Sequence, residues 1–294
     1  MFFASGWSFW PGIVLLPVAV LLGLRGRRGL LRSLSAAAAI FGILLIVLSA
    51  TPVSGWIFWP LLAAAGAMVA TLRLDSPWRY GAQALTAALA VSLAAFELPY
   101  WRDPEPLECC GKLWILADSI SSGIGFDGEI VWSELLEREQ PGRIENRAVP
   151  GSTVSSSRRI LEKQFDLFPD DVLLIELGGN DLLGGVPSGE FARNLDALLA
   201  EVAACGVPAA MFELPMPPFR SGYLRAQRQL AAKYGIRLIP RRRFAAILSG
   251  NESVVDGLHL SNHGHEKMAE VVRGVIRFAP CPAASVERAV PGRN

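Results

Sequence analysis

Residues 172–181 read Val-Leu-Leu-Ile-Glu-Leu-Gly-Gly-Asn-Asp. The first six form a short, nearly unbroken apolar run, and two glycines close it. Such a run, bounded by turn residues, predicts a strand buried on both faces, as in a parallel sheet. Similar short runs lie outward from it at 113–117, near Ile144, at 208–213 and at 236–239. Between and after them, apolar residues recur at helical spacing over 129–139, 154–165, 191–204, 223–234 and 263–278. Strands alternating with helices predict an α/β domain whose parallel sheet of about five strands is covered on both faces. Reactive residues in such sheets collect at the carboxyl ends of the strands.

Three segments fall at those ends, and a fourth lies near the C-terminus. The first strand runs into Ala117-Asp118-Ser119-Ile120-Ser121-Ser122-Gly123, where Ser119 is a candidate exposed nucleophile. Asn146 to Thr153 leads from a strand into a helix, and the N–H of Gly151 is expected on the same rim. Gly178-Gly179-Asn180-Asp181 turns the chain sharply after the 172–177 strand. Asn180 then offers an amide donor, and Asp181 is suited to bond backbone N–H groups. Asp256-Gly257-Leu258-His259 spaces a carboxylate three residues from an imidazole. A carboxylate on one ring nitrogen sets the tautomer and leaves the other to take a proton from Ser119. Each segment is weak evidence alone, but their order along the chain makes one consistent site.

Together the four segments resemble the SGNH, or GDSL-type, hydrolase family over about residues 112–278. The likeness is greatest to its lysophospholipase, arylesterase and acyl-thioesterase branch, through Glu176 to Asp181 and the Asn146 to Thr153 turn. The resemblance implies a three-layer, flavodoxin-like fold. It also implies Ser119 as nucleophile, His259 as general base and then acid, and Asp256 as its orienting partner. The oxyanion donors would be the N–H groups of Ser119 and Gly151 and the side chain of Asn180. Asp118, Gly178 and Asp181 are expected to support the loops. Ala117 stands where the family's first motif begins with Gly, and Ile120 where Leu often follows the serine. The absence of a G-x-S-x-G argues against an α/β-hydrolase elbow.

The implied activity is that of a serine esterase or lipase-type acyl hydrolase acting on an acyl ester, without cofactor or metal. Other readings are an O-acyltransferase or acetylesterase acting on an envelope glycan, or a non-catalytic binding module. Retention of all five core residues speaks against the last. His259, His263 and His265 cluster in sequence. However, the latter pair sit two apart at a helix start and are expected to diverge, so no metal site is expected.

The first hundred residues are different. They contain six Arg, Asp75 and Glu97, and no Lys, although the whole chain has 28 Lys+Arg and 27 Asp+Glu. Four stretches, 7–24, 34–50, 56–72 and 80–98, are uncharged in their interiors except for Glu97. Each is near the length that crosses a ~30 Å hydrocarbon layer. The organisation expected is a transmembrane region over 1–100, a linker over 101–111, the hydrolase domain over 112–280 and a tail over 281–294. A cleaved signal peptide is disfavoured, because the positive charges follow the first apolar run. Arg25, Arg27, Arg28 and Arg32 mark the first connection, and Arg73 and Arg79 the third. The second connection carries none, so both termini are expected outside and the hydrolase domain on the extracytoplasmic side. Trp7, Trp10, Trp56, Trp59, Trp78, Tyr100 and Trp101 fall near the span ends, as interfacial aromatics do.

A net formal charge of +1 and the lack of a basic cluster in the charged part give no reason to expect a nucleic-acid partner. Arg241-Arg242-Arg243 reads as a solvated face. The four cysteines, 109, 110, 205 and 281, are compatible with free thiols or with a bridge from Cys109 or Cys110 to Cys281. A phosphatase reporter fused after residue 105 is expected to be active only as an extracytoplasmic enzyme. Activity restricted to a cytoplasmic reporter would reverse the orientation.

Overall fold

The computed structural model describes residues 1–25, 29–73, 77–250 and 252–280. Arg27, Arg28, Asp75, Cys281 and the 281–294 tail lie outside the described residues. The chain divides into two compact units. One comprises Met1–Arg102 with Pro215–Leu224, the other Asp103–Leu214 with the chain after Arg225.

The first unit is built on helices α1 (Phe9–Arg25), α2 (Leu30–Leu48), α3 (Gly55–Arg73) and α4 (Trp78–Glu97). They lie where the four apolar stretches predicted helices. α2 begins four residues earlier than expected, directly after Gly29, whose positive φ breaks the preceding chain. Three helices, Leu30–Leu48, Gly55–Leu72 and Trp78–Trp101, are long and apolar enough to cross a membrane, and Phe9–Arg25 is a shorter apolar helix. Phe9, Ile13, Leu16, Ile46, Ile57, Leu61, Ala90 and Leu93 form a buried core. Val14, Leu21, Ile40, Phe41, Leu44, Leu62, Leu85 and Val91 point outward and are exposed. A water-soluble bundle would not display so many large apolar side chains around its helices.

α1 and α2 cross at two glycines. A Cβ on Gly42 would stand 2.9 Å from the carbonyl oxygen of Gly12, and one on Gly12 2.7 Å from that of Gly42. Ser35 Oγ donates to Ala19 O across the same pair at 2.6 Å. Small residues and interhelical hydrogen bonds are what hold helices together when lipid removes the hydrophobic drive. Gly42→Val is therefore expected to cost ~1–3 kcal/mol, read as a lower melting temperature of the full chain in detergent. Gly66→Ala, where a Cβ meets nothing within 4 Å, is the control and should change little. Equal melting temperatures would mean that the helix pair does not depend on close approach at Gly42.

The second unit contains β1 (Leu107–Cys109), β2 (Leu113–Ala117), α5 (Ser119–Ser122), α6 (Trp132–Glu139), β3 (Ile144–Asn146), α7 (Val154–Gln164), β4 (Val172–Glu176), α8 (Gly179–Leu183) and α9 (Ser188–Ala204). It continues with β5 (Ala209–Phe212), α10 (Ser221–Tyr234, which starts within the first unit's segment), β6 (Arg237–Ile239), α11 (Arg241–Leu248), α12 (Asn262–Val275) and β7 (Ile276–Phe278). The main sheet is five-stranded and parallel, in the order β3-β2-β4-β5-β6. Every residue of β2, β4 and β5 is buried, as strands covered on both faces must be. α6 packs with α12 and α12 with α11, while α7 packs with α9. Right-handed crossovers place these two groups on opposite faces of the sheet.

β2 connects leftward to β3, whereas β4 connects rightward to β5. The two central strands thus diverge at their carboxyl ends, which is where open α/β sheets form their ligand crevice.

Two expectations need correction. The 101–111 segment is not simply a connector, and the last helix does not run to residue 278. α12 stops at Val275, and Ile276–Phe278 pairs in parallel with Leu107–Cys109 as a separate two-stranded sheet. Three-residue strands carry no readable periodicity, and their partners are distant in sequence. Arg143 secures this pair by donating to Cys109 O and Gly111 O, with its guanidinium over the Phe278 ring. The connector is anchored too. Asp103 pairs with Arg242 and Arg243, and Arg237 donates to the carbonyls of Glu105 and Pro106. The three arginines are accordingly not one solvated face, since Arg241 is buried and its N–H bonds Glu213. Cys109 is a buried free thiol, pushed up to about 12 by burial, and Cys205 is an exposed free thiol. Cys110 Sγ lies 3.9 Å from Pro280 O.

Candidate active site

Ser119 opens α5 directly after β2. Asp118 caps that helix, its Oδ1 accepting from Ile120 N at 3.0 Å. The N–H of Ser119, in the first turn, has no acceptor within the helix and points out of its N-terminus. Ala117, in place of a glycine, is fully buried and stays in strand register with Glu176. The extra methyl is therefore housed in the core without disturbing the pairing.

Asp256 and His259 arrive from the far end of the chain on a turn made by Gly257, whose φ is +86°. Val254 bridges Leu260 across that turn. Asp256 Oδ1 accepts from the backbone N–H groups of Leu258 and His259 at 3.0 and 2.8 Å. Its Oδ2 meets His259 Nδ1 at 2.7 Å, and His259 Nε2 meets Ser119 Oγ at 3.1 Å. The ring bond and the two N–H donors hold the Asp256 carboxyl well below the usual carboxylate range, so it stays ionised. With Nδ1–H committed to Asp256, Nε2 carries the lone pair that faces the serine hydroxyl.

Gly151 takes φ +76° in the turn after β3, where Ser152 N bonds Val149 O. Here the backbone conformation, not space, calls for glycine, because a Cβ would meet nothing within 4 Å. Gly178 is constrained both ways: its φ is +109°, and a Cβ would come within 2.7 Å of Leu214 and 3.0 Å of Phe191. Asn180 Nδ2 donates to Asp118 Oδ2 at 3.1 Å and to Ser152 O at 3.0 Å. Its amide thus spans the first two segments, and both its hydrogens are engaged. Asp181 is buried and accepts from Val154 N at 2.9 Å, tying the third segment to the start of α7. Burial raises its carboxyl despite that bond.

The structure therefore brings Ser119, His259 and Asp256 into one chain of contacts, with Gly151, Asn180, Asp118, Gly178 and Asp181 in the loops around it. The three histidine rings go to three different carboxylates: His259 to Asp256, His263 to Glu266 and His265 to Glu129. Among the described residues, no group of three or more His, Cys, Asp or Glu is placed to hold a metal ion.

Sequence reasoning missed several residues that shape the site. Glu176 is completely buried behind Ser121, whose Oγ donates to its Oε2 at 3.1 Å. Asn146 Nδ2 donates to Ser121 O and Ser133 Oγ. The loop after Ser119 is held by Glu129, which accepts from Ile124 N and Gly125 N, and by Asn262, which bonds Ile130 N and Gly128 O. These two clamps draw 129–131 out of the helix expected there, so α6 starts only at Trp132. A polar residue isolated within an apolar pattern, such as Glu176 in its strand, was the available signal.

The sequence profile of the GDSL-like Lipase/Acylhydrolase family matches residues 118–267. The chain belongs to this family, and its second unit is a hydrolase of the SGNH, esterase-like type. It is similar to an arylesterase of Vibrio mimicus, 28% identical over 55% of this chain and 86% of that protein. It is similar also to the esterase TesA of Pseudomonas aeruginosa, 24% identical over 54% of this chain and 85% of the relative. A crystal structure of TesA superposes with a TM-score of 0.48, at 24% identity, over 55% of this chain and 95% of that one.

His265 gives the unit a pH dependence. Its ring is buried; Nε2 faces Glu129 at 3.2 Å, and Nδ1 has no partner. Burial outweighs the attraction of Glu129 and lowers the ring from its ordinary 6.5. The unfolded chain therefore takes up this proton first as pH falls, so the contribution to stability is full above the unfolded value and declines below it. Burial raises Glu129, but its bonds to Gly125 and Ile124 prevail and lower it, so its contribution is lost at still lower pH. Thermal melts of the full chain are expected to fall between about pH 7 and pH 5, and His265→Gln should flatten that slope. An unchanged slope would remove His265 as its cause.

Proposed function

We propose that the protein is a membrane-anchored serine esterase that cleaves carboxylic esters through an acyl-enzyme. The observation that carries this reading is the continuous contact from Asp256 through His259 to Ser119, at 2.7 and 3.1 Å. A serine hydroxyl is a weak nucleophile until a base takes its proton during attack. His259 Nε2 is aimed to do so, and the Asp256 carboxylate stabilises the imidazolium that results.

Attack on the ester carbonyl forms the Ser119 Oγ–C bond and moves a pair of electrons onto the carbonyl oxygen. Among the described residues, the N–H groups of Ser119 and Gly151 meet no acceptor, and they are the ready donors to that oxyanion. Asn180 contributes by turning or sharing a hydrogen it now gives to Ser152 O. Such fixed donors favour the charged intermediate over the neutral ester. The imidazolium then protonates the leaving alkoxide, and the alcohol departs. Water, deprotonated by His259, attacks the acyl-enzyme. Its collapse releases the carboxylic acid and restores the proton to Ser119.

Exposed apolar side chains support an apolar acyl ester as substrate. Ile124, Val149, Leu183, Val255 and Leu258 all project from loops that also carry site residues. The apolar helices α1 to α4 support anchoring in a bilayer, and the Arg-bearing connections support an extracytoplasmic hydrolase domain. In this reading the substrate is a lipid or envelope acyl ester reached from the outer face.

Full-length protein in detergent, assayed with a chromogenic short-acyl ester, tests the chemistry. Ser119→Ala is expected to lower kcat by ~10⁶-fold and Asp256→Asn by ~10⁴-fold. Asn180→Ala should cost ~10²–10³-fold in kcat. Wild-type rates in Ser119→Ala would remove the nucleophile. Recovery of an acylated acceptor in place of free acid would convert hydrolysis into transfer.

A further inference from the structure

We propose that Glu176 is a positioning residue: a neutral carboxylic acid that donates its proton to the Asp118 carboxylate directly beneath the nucleophile turn. The inference rests on Ser119 being the nucleophile only for its kinetic consequences.

The geometry forces two carboxyl groups together. Glu176 ends β4 in register with Ala117, and Asp118 is the next residue after Ala117. Both side chains are buried, Glu176 completely. Their surroundings differ. Asp118 accepts from Ile120 N through Oδ1 and from Asn180 Nδ2 through Oδ2. Glu176 accepts the Ser121 hydroxyl on Oε2 and also meets the backbone N–H and the side chain of Asp118, while its Oε1 is buried without a hydrogen-bond donor. Among the described residues, no Lys or Arg side chain bonds either group. The other titratable groups that act on the pair are His259, which favours the Asp118 anion, and Asp181, which opposes it.

Two adjacent carboxylates out of water cannot both ionise, so the pair keeps one proton. The proton belongs on Glu176, which is completely buried, whereas the Asp118 anion is held by the N–H groups of Ile120 and Asn180 and favoured by His259. Burial, and then the charge of Asp118, push Glu176 well above the ordinary carboxylate range. With the proton on Oε1, the acid bonds Asp118, and the orphaned oxygen gains its partner.

The consequence reaches the reacting atoms through Asp118. As an anion it caps α5 and grips Asn180, so it places both Ser119 and one oxyanion donor. An ionised Glu176 would repel Asp118 and loosen both. Glu176 also restrains Ser121, whose carbonyl is tied to Asn146. One buried proton thereby connects the turns after β2, β3 and β4.

The test uses full-length protein in detergent. Glu176→Gln keeps a neutral donor and an acceptor of the same shape, so kcat should stay within about threefold and KM unchanged. Glu176→Ala and Asp118→Asn should each lose about tenfold or more in kcat with little change in KM, as misplacement of a reacting group does. A Glu176→Gln variant as impaired as Glu176→Ala, or an Asp118→Asn variant as active as wild type, would overturn the assignment. Infrared difference spectra of wild type minus Glu176→Gln at neutral pH give a second readout. They should show the C=O stretch of a protonated carboxylic acid, and its absence would equally overturn the proposal. That band is read whether or not Ser119 is the nucleophile, so the two readings fail separately.

Discussion

Ala117 of β2 pairs with Glu176 of β4, and the chain therefore leaves the sheet at two neighbouring points. The placing of Asp118, Ser119 and Asn180 follows from that register. One residue on from Ala117 is Asp118, and then Ser119. Two residues on from Glu176, the chain turns at Gly178 toward Asn180. A slip of one residue in this pairing would carry Asn180 away from Asp118 and Ser152, and would exchange the faces on which every side chain of the strand lies. The buried, apolar strands make such a slip costly, because each would turn its packed side chains into the wrong layer. Core packing thus sets the site geometry to within hydrogen-bond tolerance.

Around that register, hydrogen bonds between the strand-end loops do the finer placing. Asn180 joins the β2 and β3 turns, Asp181 holds the start of α7, and Asn146 holds the carbonyl of Ser121. The His259 turn is joined to the site from the other side of the chain, and Asn262 and His265 on α12 hold the loop that follows Ser119. The site is thus assembled from side chains that are themselves held by other side chains or by backbone. This is what keeps donors aimed before a substrate arrives. The helical unit obeys a different rule. Many of its outward side chains are apolar, and close approach at Gly12 and Gly42 with the Ser35 hydroxyl bond supplies contact between α1 and α2.

Much of this was legible in the sequence. The buried strand at 113–117 was apolar from end to end, and that at 172–176 was apolar up to Glu176. The Gly178-Gly179 pair marked a sharp turn, and at Gly178 both the positive φ and the lack of space require glycine. The Asp256, His259 and Ser119 trio was readable because Ser119 follows a strand and the Asp-x-x-His spacing pairs a carboxylate with an imidazole near the C-terminus. The helices of the first hundred residues were equally plain from uncharged length. Less was legible where local pattern is silent. Leu107–Cys109 and Ile276–Phe278 are three residues each, and only their mutual pairing makes them strands. Arg241 read as one of three solvated arginines, yet burial sets it apart from the two that pair with Asp103. His265 sat in a run of histidines whose partners could not be read locally, and its partner, Glu129, lies 136 residues away.

Local chemistry decided the elements. Apolar spacing dictates helix or strand, glycine permits positive φ, and residue type limits which groups can attack, donate or accept a proton. These properties belong to a few neighbouring residues, so the sequence alone determined the alternation of elements, the parallel sheet and the candidate reactive groups. Long-range packing decided the environment of each group. Whether Glu176 lies in water or against Asp118 depends on two strands brought together from residues nearly sixty apart. Whether Asn180 is a free donor or a held one depends on where Ser152 O falls. Desolvation and hydrogen-bond partnership are properties of the folded surroundings, and for that reason only the tertiary structure determined them.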